Sequence, residues 1–555
     1  MTFLDYIIMI LFALVIIIAG VSFVRSGRNM KSFFAGGGAV PWGISGLSLF
    51  MSFFSAGTFV VWGSIAYELG WVAVTIQWTM CVGGFVVGFL LAPRWKQTGI
   101  LTVAEFLTRR FNLSTQKFYT YLFLFVSLFT SGNFLYPVAK IVSVSTGFSL
   151  TWIIIILGAS IILYTTAGGL WAVLITDVLQ FVVLLSSVLI VIPLAFEYGG
   201  GFHHIFQKAP EQFYNLFSEE YSPWFMLAFF IYNIIFIGGN WAYVQRFTSI
   251  RDPKSARKTG FLFGTLYIFS PVIWMIPPMI YGIVKPNLTG LETEGAYMLI
   301  CKQVLPAGIL GLMLASMVFA TASSVNTTLN MSAAVITNDL YKTRKPDSSE
   351  RETMNFARIA TVIFGMGAVT VALMVPAMGG IVETVLSIAA ITGVPMLAPP
   401  IWALFSKRLT GKIIIWITIL SLCINLIFKF VTPFMLDFTL TRGEEMAVGI
   451  LVPIGLLTLF EIYSALKRQI STQYLFYEQQ FLKVPVEEHD EGVKIADQNI
   501  FAIRILGVAV SIIGMMMVVL GLITEQGKGL VISFGGIILM VGFLLIVYSL
   551  RRKNF

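Results

Sequence analysis

The sequence predicts an all-α polytopic membrane protein, and three observations carry that prediction. Of its 555 residues, 57% are hydrophobic and 11% charged, where an ordinary soluble domain has about 25% charged residues. Mean hydropathy is +0.87, and apolar runs of roughly 20 residues, enough to cross about 30 Å of hydrocarbon, recur from end to end. Lys and Arg gather in alternate connections between those runs, as in a multi-pass chain with a defined orientation. The expectation is one membrane domain of about fifteen transmembrane helices with a short cytosolic insertion.

In order, the spans are expected at about 2–24, 41–69, 71–93, 117–148, 150–167, 171–197, 222–246, 258–284, 305–340, 355–376, 379–405, 411–433, 445–466, 501–523 and 529–550. The first begins with Asp5 and no basic residue, and no small-residue cleavage pattern precedes "RSGRNMK". It reads as a retained helix rather than a signal peptide. The second contains "SFFSAGT", three hydroxyls with a Gly; Gly weakens a helix by about 1 kcal/mol relative to Ala, so a break is expected there. Freed carbonyls at such a break suit a hard monovalent cation such as Na⁺, whereas a continuous kinked helix would leave Gly as a packing device.

The third span carries Gln77, and the fourth ends near Lys140, which could pair with a carboxylate but is expected first to snorkel to the interface. Asp177 lies about two turns into the sixth, where an intramembrane carboxylate is costly enough to mark function. The seventh closes on "GGNWAYVQRF", placing Asn240 and Gln245 after a Gly pair. The ninth contains "TASSVNTTLN", Thr321 to Asn330, with seven hydroxyl or amide side chains in ten residues. At 3.6 residues per turn, Ser323, Asn326, Thr327 and Asn330 share one face. One or two such hydroxyls would simply bond back to i−4 carbonyls; a stripe of them points to water or a bound ion. Glu383 sits near the outer end of the eleventh span, where a solvated interface residue is an equally good reading.

With the N-terminus outside, roughly 29 of the 36 basic residues fall on the cytoplasmic side and about five outside. An odd number of spans then puts the C-terminus inside. Net charge +9 and a pI near 9.3 follow from topology and contact with anionic lipid head groups, with no nucleic-acid patch. Cys81 and Cys423 lie within spans and Cys301 in an outer loop, without disulfide or metal spacing. His203 and His204 read as solvated outer-loop residues. No H-E-x-x-H, G-x-S-x-G or Walker motif is present, so no enzyme is expected.

Four pieces in register, "GISGLSLFMSFFSAGTF", "TAGGLWAVLITDVLQ", "NWAYVQRFTSIRDPKSARK" and "GLMLASMVFATASSVNTTLNMSAAVITNDLYK", resemble the sodium:solute symporter family, which includes Na⁺-coupled sugar, proline, sialic acid and iodide carriers. The resemblance spans residues 1 to about 430. It implies a LeuT-type fold of two inverted five-helix repeats, 41–197 and 222–405. Around them lie an extra N-terminal helix and cytoplasmic turn (1–40), an outer loop (198–221), two further helices (406–466), a cytosolic insertion (467–500) and two C-terminal helices (501–555). In that fold one helix of each repeat is interrupted and frames the substrate.

Matched by motif, the family's main Na⁺ site implies the carbonyls of Met51, Phe54 and Ala320 and the hydroxyls of Ser323 and Ser324. Some members add a second Na⁺ site, here implied at Asp177 with Ser323, Asn326 and Thr327; otherwise Asp177 belongs to the ion exit path. Positions matching the polar pocket are Thr58, Gln77, Asn240 and Glu383, with Tyr243 as inner lid and Trp62 as outer lid. The sugar carriers' Lys aligns near Tyr267, and Glu383 replaces a Gln. These departures favour a cationic or donor-rich solute over a naked anion.

The expected function is Na⁺-driven import of a small polar solute, a sugar or related polyhydroxyl compound first, across the plasma (inner) membrane by alternating access. An amino acid, nucleobase or carboxylate carrier, or a transporter-like solute sensor, are the alternatives, with H⁺ also compatible as coupling ion. The sequence is silent on oligomeric state.

Overall fold

In hydrocarbon a backbone N–H or C=O finds no water, so each must be paired within its own segment. The chain meets that demand with helices. The structure, a computed structural model, describes residues 1–22, 40–100, 102–164, 170–341, 345, 347–436, 439–482 and 492–551. The side chains of Asn326, Thr327 and Asn330 also lie outside that description. Among the described residues, strand-type pairing is confined to an isolated parallel bridge between Val40 and Ile250.

Among the described residues, ten helices are long and apolar enough to cross a bilayer, and the bent pair Pro223–Gly239 and Trp241–Thr248 brings the number to eleven. The other expected spans fall on shorter apolar helices: Phe3–Ala19, Trp42–Met51, Leu150–Ile162 and Ile309–Val325. Short helices not foreseen from the sequence lie outside the spans: Val103–Arg110, Phe202–Lys208, Ala296–Val304 and Thr472–Tyr477. Cys301, expected in an outer loop, is buried in Ala296–Val304. His203 and His204 are exposed on Phe202–Lys208.

Two interruptions organise the centre. Trp42–Met51 ends before a non-helical turn at residues 52–55, and the chain resumes through a π-helical stretch, Thr58–Trp62, into Gly63–Leu69. The expected break at "SFFSAGT" is thus present. The second lies at Asn240, where the chain bends by 58°. Both broken helices are tied at one end, since Val40 donates its N–H to the Ser249 carbonyl at 3.1 Å and Ser45 its hydroxyl to the Arg246 carbonyl at 2.9 Å.

Around them, close packing depends on small residues, because lipid supplies no hydrophobic drive between helices. A Cβ on Gly260 would sit 2.4 Å from the Gly88 Cα, so Pro253–Val284 and its partner across Val72–Leu91 approach backbone to backbone. The two C-terminal helices, Gly492–Ile523 and Lys528–Arg551, use the same device: a Cβ on Gly514 would meet the Leu539 nitrogen at 2.5 Å. The first helix, Phe3–Val21, docks through Asp5, whose backbone leaves no room for a Cβ on Gly311.

Candidate solute and sodium site

The first break is held by its own hydroxyls. Thr58 donates to the Phe53 carbonyl and accepts the Ser55 N–H at 3.3 Å. The Ala56 N–H is taken by the Thr321 hydroxyl at 3.3 Å, and Thr321 donates in turn to the Met317 carbonyl at 2.9 Å. The polar helix Ile309–Val335 therefore abuts the break. Part of its stripe bonds back along the helix, Ser324 to the Ala320 carbonyl at 3.4 Å and Thr328 to the Ser324 carbonyl at 3.0 Å, as isolated hydroxyls do in apolar helices.

Beside this junction lies a cavity of about 280 Å³, near the lower end of the range for small-molecule pockets. Met51, Ser323 and Ser324 of the expected Na⁺ set line it, with Asp177. Phe54 and Ala320 are buried behind them. Asn326 and Thr327 carry side chains outside the described set. The interrupted backbone at Met51 and the hydroxyl-bearing residues Ser323 and Ser324 thus line one cavity, and hard oxygens of these kinds are the ligands a monovalent cation such as Na⁺ takes.

Asp177 is buried and accepts a hydrogen bond from the Ser48 hydroxyl at 2.6 Å. Arg246 Nη2 lies 4.0 Å from the same carboxylate oxygen, and Arg246 Nη1 donates to the Ala242 carbonyl at 3.2 Å. Arg246, Ser48 and this pairing were not singled out in the sequence. Arg246 had the available signal of an ionisable residue closing an apolar span, but stood beside a basic run that topology alone explained.

Of the expected solute residues, Thr58, Asn240 and Tyr243 line the cavity, as does Trp62. Asn240 caps Trp241–Thr248 through its side-chain oxygen, which accepts the Ala242 N–H at 3.0 Å. Tyr243 packs at a tilt on Phe53, ring centroids 4.6 Å apart, and Trp62 meets Phe229 edge-on at 6.0 Å. Three expected residues are not on the wall. Gln77 is fully buried in Val72–Val86, both amide atoms without a partner. Tyr267 lies one aromatic layer back, packed on Phe50 and Phe263, with Phe53 in front of it at the cavity. Glu383 is in the first turn of Ile381–Ile388, 3.0 Å from Lys429 Nζ and 3.3 Å from Arg442 Nη2. Its carboxylate is engaged by cations from two later helices, Gly411–Met435 and Arg442–Leu466.

Among the polar wall residues outside the expected set, two carry amide oxygens with no partner. Asn133 Oδ1 and Asn233 Oδ1 are buried without a protein partner, and both residues line the cavity; Asn233 is oriented by donating to the Thr79 hydroxyl at 2.8 Å. An unpartnered buried acceptor is costly, so each is a place for a donor from a ligand or water. Their signal in the sequence was a lone amide within an apolar span, which Gln77 displayed equally.

A model of the sodium:solute symporter family matches residues 33–420. A sodium/glucose cotransporter of Vibrio parahaemolyticus is 26% identical over 482 residues, covering 78% of this chain and 87% of the relative. A sodium/sialic acid symporter of Aliivibrio fischeri is 25% identical over 384 residues, covering 65% and 75%. The solved structure of a Na⁺-coupled sialic acid symporter, substrate-bound and outward-open, superposes with a TM-score of 0.69 at 21% identity, over 85% of this chain and 99% of that one. These relatives are transporters rather than enzymes.

Proposed function

The chain belongs to the sodium:solute symporter family and is a Na⁺-coupled membrane transporter; on that premise we propose that it imports a small, neutral, donor-rich solute, a sugar or related polyhydroxyl compound. The observation that carries this reading is the pair of unpartnered amide oxygens, Asn133 Oδ1 and Asn233 Oδ1, on the wall of a cavity whose described charges, Asp177 and Arg246, face one another. Acceptors without a free charge suit hydroxyl donors. Aromatic walls from Phe53, Trp62 and Tyr243 suit the apolar faces of a sugar ring.

Na⁺ binds, in this reading, to the carbonyls of Met51, Phe54 and Ala320 and the hydroxyls of Ser323 and Ser324. A second ion is held by Asp177 with Ser323, Asn326 and Thr327. Because the break belongs to one repeat (41–197) and the polar helix to the other (222–405), an ion bridging them favours the arrangement in which they touch. The solute cavity is built from the same two units, so ion and solute favour that arrangement together, and this is their coupling. A site of neutral oxygens holds Na⁺ weakly enough to release it inward. The positive-inside distribution supports fifteen crossings with the N-terminus outside and the C-terminus inside, in the plasma (inner) membrane.

The test is uptake into proteoliposomes under an inward Na⁺ gradient against an equal K⁺ gradient, across sugars, polyols, amino acids, nucleobases and carboxylates. Uptake of neutral polyhydroxyl compounds only with Na⁺ is expected. Uptake restricted to carboxylates or amino acids would overturn the solute assignment, and equal uptake in K⁺ would overturn the coupling.

A further inference from the structure

We propose that Glu294 is a positioning residue of the outer gate: its buried carboxylate holds the helix Ile381–Ile388 against the extracellular turn Gly290–Gly295, and that hold is released when the cavity opens outward. The inference rests on the alternating access proposed above.

Glu294 is 4% exposed. Its Oε1 accepts the Ile381 N–H at 2.8 Å and its Oε2 accepts the Tyr136 hydroxyl at 2.6 Å. Lys140 Nζ lies 3.6 Å from Oε2 and donates to the Leu291 carbonyl at 2.8 Å. First-turn N–H groups have no partner within their own helix, and an anion there also gains from the helix dipole. Gly380 permits this approach: its φ is +92°, and a Cβ there would stand 2.7 Å from Oε1.

The capped helix is a wall of the solute cavity. Ile381–Ile388 continues directly into a π-helical turn, Ala389–Gly393, and Val385, Leu386, Ala389 and Thr392 all line the cavity. Single-turn π segments are recurrent sites of functional adjustment, so the helix has a compliant joint immediately inside the contact with Glu294. The same extracellular turn grips the other wall: the Thr293 hydroxyl is 2.5 Å from that of Ser64, on the outer half of the first broken helix. Tyr67, one turn further out, donates to the Lys285 carbonyl at 2.5 Å and accepts the Leu288 N–H at 3.0 Å. Residues 285–295 thus fasten together the outer parts of two cavity-lining elements from different repeats. On the far flank of Ile381–Ile388, Glu383 ties to Lys429 and Arg442. Outward opening parts the two elements, and the Glu294–Ile381 contact lies across that parting.

The test places a single cysteine reporter at Val385 in a background with Cys81, Cys301 and Cys423 replaced, and measures its modification in intact cells by a membrane-impermeant maleimide, without added solute. With Glu294→Ala, modification in the absence of Na⁺ is expected to rise at least about fivefold, and the Na⁺ concentration giving half the Na⁺-dependent change to fall in proportion, since ions that select the open form meet more of it. Glu294→Gln keeps an acceptor oxygen and is expected between the two. A purely structural role would lower the amount of protein without moving either quantity.

Unchanged modification rate and Na⁺ midpoint in a folded Glu294→Ala protein would overturn the proposal, as would Glu294→Gln shifting as far as Ala. Should Glu294→Ala fail to fold, Glu294→Gln decides alone, by a shift in the same direction or by none. A wrong solute leaves this readout intact. A protein whose reporter never responds to Na⁺, in any variant, would overturn the coupling mechanism instead.

Discussion

The Ser48 hydroxyl donates to the Asp177 carboxylate at 2.6 Å, joining the first broken helix to the helix Leu170–Tyr198 deep within the bundle. Arg246, on the second broken helix, faces the same oxygen from 4.0 Å. One carboxylate thus gathers both interrupted helices, and its occupancy by an ion would be felt by each.

Removing one member of a buried ion pair leaves the other uncompensated and costs about 3–5 kcal/mol; the 4.0 Å separation sets the lower end here. Asp177→Asn and Arg246→Gln should each lower the thermal unfolding midpoint in detergent. The double variant should lose clearly less than the sum of the two, because neither charge is then stranded. Strict additivity would mean that the two groups do not interact. Asp177→Asn should also change the number of Na⁺ ions moved per solute, and an unchanged ratio with slower transport would leave Asp177 on the exit path.

Thr321 supports the proposed sodium junction by accepting the Ala56 N–H, without being assigned to it. Thr321→Val keeps the side-chain shape but strips the Ala56 N–H of its acceptor, and an orphaned buried donor costs about 1–3 kcal/mol. The Na⁺ concentration for half-maximal uptake should rise severalfold while the ion-to-solute ratio stays fixed. Ser323→Ala with Ser324→Ala should instead abolish Na⁺ stimulation in a folded protein. If the double variant couples normally, the main site lies elsewhere.

Asn133 and Asn233 are expected to contribute to solute binding alone. Replacing either with Leu fills similar volume while removing the acceptor, and the lost hydrogen bond should raise KM for the solute about 10-fold or more. The Thr79 hydroxyl left by Asn233→Leu still donates to the Ile76 carbonyl at 2.6 Å, so folding should be little affected. Na⁺ binding measured without solute should not move. A parallel loss of Na⁺ affinity would assign these amides to helix packing.

Features written in a few adjacent residues were legible before the structure. The break at Ser52–Ser55 is announced by hydroxyls and Gly in one short stretch, and Asp177 by being an ionisable residue in an apolar run. The 58° bend at Asn240 was implied only by the resemblance, since the residues themselves read as one continuous span, 222–246, with a Gly pair inside it. What escaped depends on residues distant in sequence. Glu383 reads as a pocket carboxylate until Lys429 and Arg442, from later helices, are seen to engage it. Tyr267 is on the helix that the resemblance implies, yet Phe53 from another helix occupies the layer in front. Arg246 was absorbed into a topological argument because its basic neighbours offered a sufficient reason for its charge.

The first helix provides a last test, of whether an element outside the two repeats supports the site. Ile309–Val335, which carries Ser323 and Ser324, starts at Gly308 with φ +85° and no side-chain cap of its own. The cap comes from Asp5, whose Oδ1 accepts the N–H groups of Gly308 at 2.7 Å and Gly311 at 3.1 Å, while Oδ2 accepts the Thr2 N–H at 2.7 Å. Hydrogen bonds to a charged acceptor contribute about 1.5–3 kcal/mol each where they are buried. Asp5→Ala should therefore lower stability by about 2 kcal/mol or more, with Asp5→Asn losing less because one oxygen remains. If the cap fixes the register of the polar helix, Asp5→Ala should also raise the Na⁺ requirement for uptake. A loss of stability with an unchanged Na⁺ requirement would confine the first helix to anchoring.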